Sequence, residues 1–256
     1  MTTVFVSHGA PMLAVEPGQT GVMLAELAKT MPKPDAILCV SAHWDTRVPT
    51  VSTAPEMETI HDFSGFPQAL FEIQYAAKGA PLLAARVVEC LQAAQISVHT
   101  HATRGLDHGA WVTLSLMYPQ AEIPVTQLSI QSRASTASQC ALGRALQPLH
   151  AENILILASG AVTHNLGDFF SPERDAAALP YVQAFADWVG QTIAEEDVDQ
   201  LLFYRQQSAH GARAHPTEDH LMPLFVALGA AGASKVRRLQ PELTYGILAM
   251  DAYLWL

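Results

Sequence analysis

The sequence predicts an α/β fold: one domain spanning residues 1–256, with a mostly parallel central sheet flanked by helices. Three observations point there. Short β-rich runs alternate with longer stretches of helical periodicity. The run Ala36–Ser41 is apolar almost throughout, the pattern of a strand buried on both faces. Half of the 256 residues are hydrophobic and only 15% are charged, which suits one sizeable core and little disorder.

Taken in order, Val4–Val6 reads as a first strand. Gly21–Met31 reads as a helix, with Leu24, Leu27, Ala28 and Met31 on one face and Pro32 and Pro34 ending it. Ala36–Ser41 is the second strand. Pro81–Ala94 is a helix with proline near its start, and Ile96–His99 is a short strand. Pro124–Ile130 is a strand, Ala134–Leu149 a helix and Ile154–Ala158 a strand. Pro180–Ala194 and Glu218–Gly229 are helices, and Leu243–Leu256 is a final, bent strand. Asp45–Phe71, rich in Pro, Thr, Ser and Gly, is the longest loop. Loops of that length in compact domains are commonly functional.

Composition excludes several function classes. The net charge of -10 comes with no Lys/Arg run, so no nucleic-acid partner is expected. No apolar stretch nears the length of a membrane span. The start MTTVFVSHGAP has no basic or apolar leader region. A cytoplasmic location without membrane association is therefore expected. Cys39, Cys90 and Cys140 are odd in number and widely spaced, which is not a disulfide framework. Cys39 is expected to be a small buried hydrophobe.

The histidines carry the functional signal. His8 and His43 follow the first and second strands directly, and His164 comes shortly after the strand ending near Ala158. Ligands of open α/β sheets bind beyond the carboxyl ends of the strands, so these three should meet in one crevice. His220 sits at an expected helix start, in His215–His220. Imidazole suits Fe, Zn, Cu and Ni. From placement alone the cluster is either a metal centre or a set of separately hydrogen-bonded histidines. His61 could line a substrate mouth, and Trp44 could wall the crevice with Phe63, Phe66 and Trp111. His108, just before a helix, is a cap or an acid/base group. Asn165, Asp107 and Asp45 are candidate partners for the imidazoles. His99, His101, His150 and His210 lack motif context and are expected at the surface.

The motifs SHGAP, SAHW, HDFSGFP, GLDHGAW, SGAVTHNL and HPTEDHLMPL, in this order from His8 to Leu224, resemble those of the class III extradiol ring-cleavage dioxygenases, in the branch of DOPA 4,5-dioxygenase-like proteins. The resemblance implies that residues 1–256 form an extradiol dioxygenase-like catalytic domain. It implies His8, His43, His164 and His220 as metal histidines. In more distant relatives the counterpart of His164 is a catalytic base, and His108 matches a second active-site histidine. His164 is thus open to either role. The sequence departs from the branch in two places. Glu218 and Asp219 stand where proline and glutamate are usual, putting a carboxylate near the metal, and Ala161 replaces glycine or asparagine.

The resemblance implies a small aromatic diol (a DOPA-like or other catechol) and O₂ as substrates. Iron(II) is the metal such chemistry needs, because zinc has no redox cycle. Zinc is nevertheless expected in the isolated protein, since divalent affinity rises from iron toward copper and zinc. The same cluster is compatible with a zinc-dependent hydrolase that activates water, or with a non-catalytic metal-binding protein on the same fold.

Overall fold

A computed structural model describes residues 2–256. The strands are β1 (Thr2–Ser7), β2 (Ala36–Asp45), β3 (Thr50–Ser52), β4 (His99–His101), β5 (Val125–Ile130), β6 (Ile154–Gly160), β7 (Val236–Leu239), β8 (Leu243–Thr244), β9 (Leu248–Ala249) and β10 (Ala252–Trp255). The helices are α1 (Gly18–Thr30), α2 (Gln68–Phe71), α3 (Pro81–Ala93), α4 (His108–Met117), α5 (Thr136–Ala145), α6 (Pro180–Ala194), the short α7 (Val198–Leu202), α8 (Tyr204–Gln207) and α9 (Gly211–Ala214), and α10 (Met222–Ala231). Eight strands form one sheet in the order β4-β3-β5-β2-β6-β1-β10-β7. Its centre, β5-β2-β6-β1, is parallel, while β10 and β7 join antiparallel. The expected α/β class with a mostly parallel sheet is what the chain adopts.

Successive residues of the central strands face opposite layers. Phe5, Leu38, Val40 and Ile156 pack into a core with α3, α5, α6 and α10. Val4, Val6, Ile37, Cys39, Leu155 and Leu157 pack into a second core with α1 and α4. Both faces are covered, so β2 from Ala36 to Val40 and β6 from Ile154 to Ala158 read as unbroken apolar runs. Each fully buried aliphatic side chain here contributes about 1.5–3 kcal/mol. All three cysteines are free and buried.

Several expectations shift. Ile96–His99 is not a strand: the Ile96 amide donates to Leu91 O to close α3, and β4 begins at His99. Pro148 cannot continue a helix, so α5 stops at Ala145 and a 3-10 turn, Gln147–Glu152, follows. The last helix starts at Met222, with proline in its first turn, where proline is favoured. The expected final strand is three pieces, β8, β9 and β10, with the turn between the first two made at Tyr245 (φ 54°) and Gly246 (φ 69°). The loop Asp45–Phe71 carries β3 and α2. His150 is half-buried rather than superficial, within 2.9 Å of Thr3 Oγ1.

Candidate metal centre and active site

Strand exits bring the key histidines together. His8 follows β1, and its backbone N–H donates to Gly160 O at the end of β6 (2.9 Å). His43 lies within β2, not after it. The pairing of β2 with β5 is irregular between Ser41 and Asp45, and such irregularities re-aim a side chain beside a site. His220 lies in the turn before α10. Gly160 lets that turn close down, because a Cβ there would stand 2.3 Å from His220 O. The Ala161 N–H also donates to His220 O.

The ligand nitrogens of His8, His43 and His220 all lie within 4.8 Å of one another. Hydrogen bonds fix which nitrogen carries the proton in His8 and His220. Ser159 Oγ donates its only hydrogen to Gly109 O. It must therefore accept from His8 Nδ1–H, at 3.0 Å. Asp219 accepts from His220 Nδ1–H, and Asp62 Oδ2 stands 3.5 Å from His43 Nδ1. With Nδ1–H donated, His8 and His220 each present a bare lone pair at Nε2, and His43 does so when its proton sits on the Nδ1 that faces Asp62. His8 Nε2 and His43 Nε2 face each other at 3.0 Å, and His220 Nε2 is buried with no partner. Two lone pairs at that distance repel unless a cation or proton lies with them, and a buried acceptor without a partner is costly. The donor set fits a divalent metal held by neutral imidazoles.

Electrostatics favours the neutral rings. Burial, then the charge of neighbouring imidazoles, pushes His8 well below its usual value. Burial brings His43 down to about 4, with His108 adding, and His220 down to about 3. Burial alone would raise Asp62, but hydrogen bonds with His108 outweigh it and bring the carboxyl to about 2. Asp219 is likewise held low by His220 against its own burial.

Two further histidines border this trio. His108, the first residue of α4, has its ring centroid 3.9 Å from that of His43 and 5.6 Å from that of His8. His164 stacks flat on His220, with centroids 3.4 Å apart and planes 5° apart. Burial lowers the pKa of His164. Its ring nitrogens are not among those that converge within 4.8 Å. Between α4 and the trio, Gly109 leaves room: a Cβ there would stand 2.6 Å from Ser41 Oγ, 3.0 Å from His43 Cδ2 and 3.2 Å from His8 Cε1.

Residues 2–251 match the family described as the catalytic LigB subunit of aromatic ring-opening dioxygenase. The chain belongs to the LigB family. It is 39% identical to 4,5-DOPA dioxygenase extradiol of Beta vulgaris, over 98% of this chain and 95% of that protein. It is 39% identical to the protein of the same name from Escherichia coli (strain K12), over 90% and 85%. A crystal structure of an uncharacterized protein from Escherichia coli K12 matches with a TM-score of 0.83 and 34% identity, over 100% of this chain and 99% of that one. The chain is thus an extradiol ring-cleaving enzyme, as its motifs implied.

In this LigB-family enzyme the remaining expected site residues divide. His61 packs against Phe63, Phe71 and Trp111, and its Nε2 meets Ile73 O. It supports an aromatic cluster in which Phe63, edge-on to His108 at 5.6 Å, reaches the histidines. Trp44 is buried under the Arg104 guanidinium, 5.2 Å away, and against His101. The candidate imidazole partners lie elsewhere. Asp45 holds Ser132, and Asn165 caps the turn Leu166–Asp168. Asp107 caps α4 and binds Ser41, Arg104 and Gln127. The groups that do touch the rings are Asp62, Ser159 and Asp219. Asp62 and Ser159 lie inside quoted motifs without being singled out there, and Asp219 was signalled by adjacency to His220. Glu218 turns away to accept from Tyr204 Oη, so the altered motif places its carboxylate behind the ring and not beside it. No helix of the described residues is long and apolar enough to cross a membrane.

Proposed function

We propose that this enzyme is an iron(II)-dependent extradiol dioxygenase for a small, DOPA-like catechol, with His8, His43 and His220 as the metal ligands. The carrying observation is the convergence of three imidazoles within 4.8 Å, two of them with Nδ1–H donated away from the centre and the third with Asp62 3.5 Å from its Nδ1. The DOPA-like class is supported by relatives named 4,5-DOPA dioxygenase extradiol at 35–39% identity. Iron(II) bound there would supply the redox chemistry of oxygen insertion and hold catechol and O₂ side by side.

The chain supplies binding and proton handling. A catechol has two hydroxyl protons, and two histidines outside the ligand trio border the site. His164, stacked on His220, acts as a base rather than a fourth ligand. It is neutral near pH 7 because burial lowers its pKa. His108 handles the second proton. Proton transfer by placed groups of this kind contributes about 10²–10⁴-fold. Phe63 and the aromatic cluster behind it offer a flat apolar wall for the ring.

The test is metal analysis of the isolated protein, then anaerobic reconstitution with iron(II) and an oxygen-electrode assay with DOPA and simpler catechols. Zinc as isolated, no oxygen uptake in that form, and uptake with a yellow product after iron loading are expected. His43→Ala should abolish both metal retention and uptake. No oxygen consumption with any catechol would reject the proposal. Hydrolysis without oxygen uptake would favour the water-activating alternative.

A further inference from the structure

The proton-handling role given to His108 rests on the proposed function, but the state of its ring is set by a residue outside that assignment. Asp62, in the loop between β3 and α2, reaches across to the start of α4. Its Oδ1 accepts both the backbone N–H and the ring Nδ1–H of His108, each at 2.9 Å. Its Oδ2 stands 3.5 Å from His43 Nδ1. One carboxylate thus joins a metal-trio histidine to the neighbouring acid/base histidine. His43, Asp62 and His108 also place ligand atoms within 4.8 Å. That grouping is not a second cation site, because His108 Nδ1 and Asp62 Oδ1 already spend their facing atoms on each other.

We propose that Asp62 is a positioning residue that holds His108 as the Nδ1–H tautomer and thereby makes it an acceptor before it is a donor. With Nδ1–H committed to Asp62, the neutral ring has one lone pair, at Nε2. It can take a proton there from a substrate hydroxyl, forming an imidazolium whose Nδ1–H stays on the carboxylate. It can later return that same proton from Nε2. Without the carboxylate the neutral ring would be free to carry its proton on Nε2, where it could not act as a base. Loop docking is a by-product of the same contact, since the Asp62 bond to the His108 amide caps the first turn of α4.

The experiment has two readouts. ¹⁵N NMR of the imidazoles in the metal-free protein gives the His108 tautomer without reference to turnover. Wild type should show the proton on Nδ1. Asp62→Asn should keep it there, because an amide oxygen can still accept. Asp62→Ala should move it wholly or partly to Nε2. A wild-type proton on Nε2, or an unchanged tautomer in Asp62→Ala, overturns the proposal. If the alanine variant does not fold, wild type and Asp62→Asn still decide it. In the second readout, iron-saturated Asp62→Ala should lose about 10²–10⁴-fold in kcat with KM within about threefold. A loss confined to KM, or removed by excess iron(II), would reduce Asp62 to a loop anchor or ligand support and overturn the proposal. Absence of oxygen uptake in wild type would instead reject the dioxygenase reading and leave the tautomer result to judge Asp62.

Discussion

Replacing Ser159 with alanine isolates the logic of the proposed metal centre. Ser159 is fully buried at the end of β6, and its hydroxyl both accepts from His8 Nδ1–H and donates to Gly109 O. Alanine leaves the His8 proton with two poor choices. If it stays on Nδ1, a buried N–H loses its partner, at about 1–3 kcal/mol. If it moves to Nε2, the lone pair needed for the metal disappears. Removing outer partners of this type costs about 10–100-fold in metal affinity, or about 1.4–2.8 kcal/mol. Zinc affinity, measured by competition with a chelator, should fall by that factor in Ser159→Ala. The metal-free melting temperature should fall by about 2–4 °C per kcal/mol lost. Zinc affinity within twofold of wild type, with an unchanged melting temperature, would refute the claim that Ser159 sets the His8 tautomer.

Gly109→Ala places a methyl 2.6 Å from Ser41 Oγ and against His43 and His8. It should cost about 1–3 kcal/mol by overpacking and abolish tight zinc binding, read by calorimetry. Asp107→Ala removes a fully buried carboxylate that holds Ser41, Gln127 and Arg104. It should destabilise by about 3–5 kcal/mol in urea unfolding, with a smaller loss in Asp107→Asn. The pH response of the metal-free protein follows from the depressed histidines. His43, brought to about 4, and His220, brought to about 3, are neutral in the fold but take up protons near 6.5 when unfolded. The unfolded state binds more protons as pH falls, so stability is full above about pH 7 and drops between about 6.5 and 4. The slope is about 1.4 kcal/mol per pH unit for each such histidine. A urea midpoint unchanged between pH 7.5 and 5 would contradict this.

Much of the fold was legible because the central strands are covered on both faces and so read as plain apolar runs. Pro180–Ala194 matches its predicted bounds because proline opens it and its apolar face repeats cleanly. The failures have local causes. β7 is a four-residue edge strand carrying Arg237 and Arg238, the charged and short character that protects sheet edges, and no periodicity reveals it. The histidines that gather at the site could be anticipated because His8 follows a strand, His43 ends an apolar strand run and His220 stands at an expected helix start. Of their partners, Asp219 could, standing beside His220, but Ser159 and Asp62 could not. Ser159 is one more small residue ending a strand. Asp62 lies 46 positions from His108 and meets it only because the loop folds back over α4. Trp44 follows His43 directly, but neighbouring positions on a strand point to opposite sides, and Trp44 ends under Arg104 and not beside the trio.

The choice of partner for each ligand ring follows its access to water. Asp62 and Asp219 keep 24% and 28% of their side-chain surface exposed, while Ser159 has none. A carboxylate at the Ser159 position would be cut off from solvent, and an isolated buried charge costs several kcal/mol that a single hydrogen bond to His8 does not recover. A hydroxyl can orient the ring there without a charge, provided its own hydrogen is spent elsewhere, and Gly109 O takes it. Where water reaches, a carboxylate can stay ionised and favour the proton on Nδ1 more strongly. The deepest ring of the proposed ligand trio is therefore oriented by a dipole and the two outer ones face charges, and those two negative charges would partly balance a divalent cation bound there.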